Sequence, residues 1–392
     1  MGGLSDTSAT HHQGTKASDE ALARYARQML FAGVGREGQE KLLAARVLLV
    51  GCGALGTVVA DTLVRAGVGL LRICDRDFIE LNNLQRQVLF DEHDVAAQLP
   101  KAIAAADKLG RINSTISVEP RVVDVNHANI ESLAEGMDLL LDGTDNFETR
   151  YLINDLAVKT NRPWVYGAAV GATGLCLTIV PGTTPCLRCV FESAPPPEMN
   201  PTCDTAGVLA MTVNLVAAFQ AVEAIKLLTG QQDQINRKLM HIDAWTPRIV
   251  GMDVQAAIET SCPCCQQRQF PYLAGQNASS SLTLCGRNAV QVRPPRPARI
   301  NLAAMARKLQ DASEAAPTSN KHLLQARLDG LDVTLFADGR AIIKGTDDIA
   351  RAVLSVLAMD LTGCLESKLP SFPEYESPTR SDGTAEGSLN TV

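Results

Sequence analysis

Apolar residues in this chain fall into short blocks separated by segments of helical period. The blocks at 46–50, 70–74, 115–123 and 138–142 read as strands. Segments 55–66, 95–110 and 127–135 read as the helices between them, and the pattern before the first strand is helical from about Arg24. Strand and helix alternating over short connections predict an α/β fold with a doubly wound, Rossmann-like and mostly parallel sheet. Further on, "WVYGAAVGATGLCLTIV" (164–180) predicts two strands joined through glycines. Residues 181–206 are rich in Pro and Cys and lack any period, which predicts a long irregular crossover loop. The apolar stretch 206–230 predicts a single long helix closed by Gly230. "KLMHIDAWTPRIVGMDV" then predicts a hairpin turning at Thr246-Pro247, an antiparallel extension of the sheet.

A second unit begins near 280. "LTLCGRNAVQVRP", a helix near 301–310, "LDVTLFADGRAIIKG" and a helix at 346–359 predict a small α+β module. Asp338-Gly339 is its hairpin signal. The polar ends read as disordered tails. The expected division is a tail at 1–20, a main domain at 21–270, the module at 271–364 and a tail at 365–392.

Composition narrows the function. The chain has 392 residues, a net charge of -7 and only 4% aromatics, so nothing favours nucleic acid or an anionic membrane as partner. No stretch resembles a run of about 18 apolar residues. The start, "MGGLSDTSATHHQGTKASDE", has no apolar core of a secretory signal. The expected compartment is the cytoplasm, and eleven cysteines there point to metal or catalysis more than to disulfides.

The glycines Gly51, Gly53 and Gly56 in "VLLVGCGALGTVV" follow a strand and open a helix, the cradle of a nucleotide's phosphates. Asp75 ends the next strand, where a carboxylate holds a ribose. To this point NAD and ATP fit equally. Asn83, Arg86 and Gln87 follow in "DRDFIELNNLQRQVLF", and Lys101 starts a helix whose free N–H groups favour phosphate. Converging cations suit a triphosphate. Asp142 and Asp145 in "LLLDGTDNFETR" stand at a strand's C-terminal end, a natural place for a Mg²⁺ ligand, although either carboxylate suits a helix cap equally. Asp77 is a further candidate for contact with nucleotide or metal.

Cys186 and Cys189 form one C-x-x-C pair, and Cys262 with Cys265 forms a second. Together they supply four thiolates for a closed, structural zinc site, with disulfides as the rival reading. Cys264 is expected to point away. Cys203 precedes the long helix, a position that lowers a thiol's pKa, so it is a candidate nucleophile or else a small buried thiol. Cys52, Cys74, Cys176 and Cys285 read as packing, and Cys364 carries no signal.

Taken together, "RYARQ" (24–28), "GCGALG" (51–56), "DRDFIELNNLQRQ" (75–87), Lys101, "DGTDN" (142–146), "PCLRC" (185–189), "CDTAGVL" (203–209) and "QAVEAIKLLTG" (220–230) resemble the MoeB/ThiF/HesA family, bacterial relatives of ubiquitin-activating enzymes. The resemblance runs in family order over about 24–266. It implies ATP in the glycine cradle with Asp75, and ribose and phosphates at Asn83, Arg86 and Lys101. It further implies Mg²⁺ at Asp145 and zinc on Cys186, Cys189, Cys262 and Cys265. Arg27 corresponds to an arginine that reaches the partner's phosphates in a homodimer, and helix 206–230 to a dimer face. The implied reaction is adenylation of the C-terminal Gly-Gly carboxylate of a ubiquitin-fold sulfur carrier, with Cys203 matching a cysteine that links covalently to the carrier in some members. A cysteine desulfurase or another sulfur donor is a further expected partner. Some relatives carry a rhodanese domain after this region, but nothing in 271–392 has its cysteine cradle, so the module reads as a packing domain or a docking site. Two rival functions stand beside this one: an NAD-dependent oxidoreductase, from the glycines alone, and a non-catalytic zinc-containing binding protein.

Overall fold

Strand β1 (Arg46–Val50) is the axis of the larger sheet, and its alternation explains the layers on either side. Val47 and Leu49 face one apolar layer while Leu48 and Val50 face the other, and all four are buried. A strand covered on both faces reads as a continuous apolar run, which is why its sequence shows no polar alternation. The computed structural model describes residues 19–193, 203–258, 261–277, 281–284, 288–292, 299–361 and 363–365. The segments expected to be tails lie outside this set, apart from Asp19, Glu20 and Leu365, as does Cys285.

Around β1 the sheet is completed by β2 (Leu70–Asp75), β3 (Ser117–Val122), β4 (Leu139–Asp142), β5 (Trp164–Val170), β6 (Thr173–Ile179), β7 (Leu239–Asp243) and β8 (Arg248–Met252). Their order is β3-β2-β1-β4-β5-β6-β7-β8. The first five run parallel and the last three antiparallel, as the sequence predicts. Three short helices, α1 (Asp19–Leu22), α2 (Ala26–Met29) and α3 (Gly35–Ala44), precede β1. The crossovers are α4 (Ala54–Ala66), α5 (Glu92–Ala96) with α6 (Lys101–Ile112), α7 (Ile130–Leu133) and α8 (Phe147–Thr160). Between β6 and β7 come α9 (Leu187–Val190), α10 (Cys203–Ala206) and α11 (Ala210–Leu228).

Three readings need correction. The segment 95–110 is two helices, because Gln98 takes a left-handed φ of 50° and Pro100 restarts the helix at Lys101. The segment 206–230 is broken as well: Gly207 has φ 71° and Val208 bridges to Gly171, so α11 starts only at Ala210. Helix α8 was expected only as an element that Asp142 or Asp145 could cap, with no range of its own. Its residues Arg150 to Val158 are buried in an unbroken run, so it carries no amphipathic stripe.

Helix α11 has 19 residues and is long and apolar enough to cross a bilayer by length and composition. In this fold it lies on β5, β6 and α4, with Val213, Val216, Ala217, Gln220, Ala221 and Ala224 buried.

The second sheet is antiparallel, in the order β11-β12-β13-β14-β10-β9. Its strands are β9 (Ser281–Leu284), β10 (Ala289–Val292), β11 (Thr318–Ser319), β12 (Leu323–Leu328), β13 (Leu331–Phe336) and β14 (Ala341–Lys344). Helices α12 (Leu302–Leu309) and α13 (Ile349–Ala358) share an apolar cluster with it through Leu302, Met305 and Ala352. Gly339, with φ 83°, makes the expected turn between β13 and β14. Strand β12 was not expected from the sequence.

Leu63 on α4 is fully buried in the layer between the larger sheet and α11. Leu63→Ala is expected to lower the free energy of unfolding by about 2–5 kcal/mol, read as a lower urea midpoint at unchanged slope.

Candidate functional site

The parallel order reverses between β1 and β4, and the crevice beyond the carboxyl ends of these strands is where an α/β sheet places a ligand. Gly51 leaves β1 with φ 90°, and its N–H donates to the Cys74 carbonyl at 2.8 Å. A Cβ on Gly56 or on Gly143 would run into the Gly51 carbonyl oxygen, so these three glycines let the two strand ends close up. Gly53 is different. A Cβ there would meet nothing nearer than 4.0 Å, so this glycine leaves room on the side a ligand approaches. It is also the N-cap of α4 and offers no side chain to its first N–H groups, which remain donors for an anion.

Asp75 ties this loop to the second strand. Its Oδ2 accepts from the Cys52 N–H at 2.6 Å and its Oδ1 from the Asp77 N–H at 2.7 Å. Burial raises its pKa, against the pull of nearby Lys101. Asp77 in turn forms an ion pair with the buried Lys101, Oδ2 to Nζ 3.2 Å, and its carbonyl accepts the Lys101 N–H at 2.9 Å. Asn83 is buried, with Oδ1 accepting the Glu80 N–H at 3.1 Å. Arg86, one turn on, donates to the Asn82 carbonyl at 2.7 Å. Gln87 was noted in the sequence but not ranked. It is buried near Gly53, and its Oε1 has no hydrogen-bond partner among the described residues.

The two aspartates of "DGTDN" part company. Asp142 is fully buried, accepting from the Thr144 N–H and hydroxyl at 2.8 and 2.7 Å and pairing with the Arg150 Nε at 3.1 Å. Its carboxylate is used inside the protein. The helix cap is neither aspartate but Asn146, which accepts the Thr149 N–H at 2.9 Å. Asp145 is left exposed at the crevice, close enough to Arg76 and Arg150 to act on both charges. Arg76 went unremarked in the sequence; its Nη1 pairs with Asp124 at 2.9 Å.

Arg27 lies elsewhere. Tyr25 is buried and Gln28 donates to the Ala66 carbonyl at 2.9 Å, which anchors "RYARQ" at the C-terminal end of α4. The glycine cradle is at the other end of that helix, about 18 Å away at 1.5 Å per residue. Arg27 is exposed and next to the bare side chains of Leu30 and Phe31.

The four cysteines meet. Cys186 Sγ is 3.7 Å from both Cys189 and Cys262, and Cys189 is 3.4 Å from Cys265. All four sulfurs lie within 4.8 Å of one another. Tetrahedral zinc with Zn–S of about 2.3 Å calls for sulfurs about 3.8 Å apart, so the donor set fits zinc. Hydrogen bonds from neighbouring thiols, Cys189 first, pull the Cys186 thiol well down and in return push the Cys189 thiol up, the mark of sulfurs crowded into one cluster. Cys264 turns toward α8, where the Asn154 amide donates to it at 3.2 Å and it donates to Asp155 at 3.5 Å. Cys203 opens α10, and its side chain lies outside the described residues. Cys52, Cys74 and Cys176 are buried, and burial pushes each thiol up, Cys74 to about 12.

Comparison with known proteins gives the chain a family. The ThiF family matches residues 25–264. A sulfur carrier protein ThiS adenylyltransferase of Bacillus subtilis is 45% identical over 330 residues, covering 84% of this chain and 96% of that relative. A SAMP-activating enzyme E1 of Haloferax volcanii is 39% identical over 62% of this chain and 88% of its own length. Among solved structures, E. coli MccB with ATP is similar with a TM-score of 0.54 and 26% identity, over 62% of this chain and 74% of that one. The chain belongs to the ThiF family.

Proposed function

We propose that this chain adenylates the C-terminal Gly-Gly carboxylate of a ubiquitin-fold sulfur carrier with ATP, releasing pyrophosphate. The observation that carries this reading is the open face that Gly53 leaves beside the uncapped N-terminus of α4, at the carboxyl ends of β1 and β4, with the exposed Asp145 following β4 and the buried Lys101–Asp77 pair following β2, in a chain of the ThiF family. Adenylyl transfer implies ATP and Mg²⁺. An NAD reading accounts for the glycines and Asp75 but leaves these charges without a task.

Attack of the carrier's carboxylate oxygen on the α-phosphorus forms a C–O–P link as the bond to the β-phosphate breaks. No strong base is required, only alignment and positive charge where negative charge builds. The free N–H groups of α4 hold phosphate oxygens, with Asp75 and Asn83 at the ribose. Lys101 exchanges its bond to Asp77 for phosphate, and Arg86 exchanges its bond to the Asn82 carbonyl. Asp145 would hold Mg²⁺, with Asp77 a second candidate, and the ion would supply positive charge against the phosphates. Arg27 serves a partner's site in a homodimer, since its own lies a helix length away. The thiolates of Cys186, Cys189, Cys262 and Cys265 hold a structural zinc that ties the crossover loop to the segment after β8. Cys203 is the candidate to take the acyl group from the adenylate, with AMP as leaving group.

Carrier-dependent exchange of labelled pyrophosphate into ATP tests the reaction, and its absence with every Gly-Gly carrier would refute it. Lys101→Ala and Asp145→Ala are each expected to lose roughly a hundredfold or more in exchange rate. Cys203→Ser should keep exchange. Mixing Arg27→Ala with Asp145→Ala protein should restore activity that neither has alone, because one site of the mixed dimer is whole.

Elemental analysis should find about one zinc per chain. Chelation or Cys186→Ser should lower the thermal midpoint by several degrees, since metal affinity adds to folding stability.

A further inference from the structure

We propose that the C-terminal sheet is a positioning element of the nucleotide site, through Gln291, Arg340 and Lys344. The proposal rests on the site described above and assigns a role to the part of the chain beyond the family match at 264.

The residues after Asp75 do not hold themselves. Segments 77–79 and 99–101 run side by side: Ile79 N–H donates to the Leu99 carbonyl at 3.1 Å, Lys101 N–H to the Asp77 carbonyl at 2.9 Å, and Phe78 bridges Pro100. This two-stranded ribbon carries Asp77 and Lys101 and leads from Asp75 to Asn83 and Arg86. A ribbon of two short strands has little stability of its own in water.

Its outer side rests on the second sheet. Phe78 packs against the buried cluster of Ala289, Leu323, Phe336 and Ile342, with the Phe78 and Phe336 ring centroids 6.4 Å apart. Lys344 on β14 pairs with Glu80 and lies 5.7 Å from the Phe78 ring centroid. Arg340, only 3% exposed, donates to the Arg76 carbonyl at 3.2 Å. From β10 the fully buried Gln291 donates to Asp124 Oδ2 at 3.2 Å, and Asp124 Oδ1 accepts from Arg76. The second sheet thereby holds the Arg76 carbonyl directly through Arg340 and its side chain indirectly, by bracing Asp124 with Gln291. The other half of the ribbon is held too, by Gln325 on the Gln98 side chain and by Asn320 on the Gln98 carbonyl at 3.2 Å.

Arg76 stands between Asp75 and Asp77, whose carboxylates must keep their places for Cys52 N–H and Lys101. A clamp on Arg76, Phe78 and Glu80 therefore lowers the ordering cost that nucleotide binding would otherwise meet. Such a clamp acts on ATP and not on the carrier.

The test uses the full chain with Gln291→Leu, Lys344→Met and Lys344→Arg. Leucine at 291 has nearly the shape of glutamine and also removes an acceptor, Gln291 Oε1, that has no partner among the described residues. Lys344 and Glu80 are partly exposed, and such pairs add little to stability, so the Lys344 variants keep their unfolding midpoints, whereas Gln291→Leu removes a donor to the buried Asp124 and is assayed at a temperature where its unfolding curve shows it fully folded. Binding of a fluorescent ATP analogue without carrier, and KM for ATP and for carrier in pyrophosphate exchange, are measured. The expected result for Gln291→Leu and Lys344→Met is a five- to twentyfold rise in both the analogue's Kd and the KM for ATP. The KM for carrier should stay within twofold, and Lys344→Arg should behave as wild type. Unchanged ATP affinity in both folded variants overturns the proposal, as does an equal rise in both KM values. If the unmodified chain binds no ATP analogue, the reading of the site itself fails with it.

Discussion

The close approach of two strand ends sets the terms for this site. The carbonyl oxygen of Gly51 occupies the space where a side chain on Gly56 or Gly143 would stand, so β1, β4 and α4 can converge only because all three positions lack a Cβ. That convergence aims the first N–H groups of α4 into the crevice and brings the "DGTDN" loop alongside. Gly53, free of this crowding, leaves the nucleotide a face to approach. One motif thus contains two kinds of glycine, for internal packing and for ligand access.

Helix α8 carries the second constraint. Near its start, Arg150 pairs with the buried Asp142 and reaches the carbonyls of Thr144 and Gly167, between the rings of Phe147 and Tyr166. Further along, Asn154 accepts the Leu187 N–H at 2.8 Å and donates to Cys264, while Asp155 accepts the Tyr272 and Leu273 N–H groups at 3.0 and 3.4 Å. The cysteine cluster and the crevice are therefore braced by the same helix. Burial pushes the Asp142 carboxyl up and Arg150 pulls it back, and truncating either partner would strand a charge in the core.

Much of this was legible in the chain before any coordinates. The central strand blocks appear where expected because each is an apolar run covered on both faces, and the two C-x-x-C pairs come together as a set of sulfurs whose spacing is compatible with zinc. The extent of helix α8 and the breaks at Gln98 and Gly207 were not legible. Nine consecutive buried residues mask a helix from any reading based on period, and a left-handed glutamine leaves no mark in composition. Lys101 was well placed from sequence, since the restart after Pro100 puts it at the head of α6.

Sequence alone determined the parallel strand blocks, the glycine cradle, the set of charged candidates and the two C-x-x-C pairs, because local spacing and residue chemistry suffice for each. Tertiary structure decided which candidates are available. Asp142 and Asp145 are three residues apart and chemically alike, yet one is consumed by Arg150 in the core and the other stands at the crevice. Arg27 belongs to the same motif series as Arg86 but sits at the opposite end of α4. The second sheet has no motif, and its contact with Arg76, Phe78 and Glu80 exists only because chain segments more than two hundred residues apart pack together. Availability depends on burial and distance, and neither is written in the order of the residues.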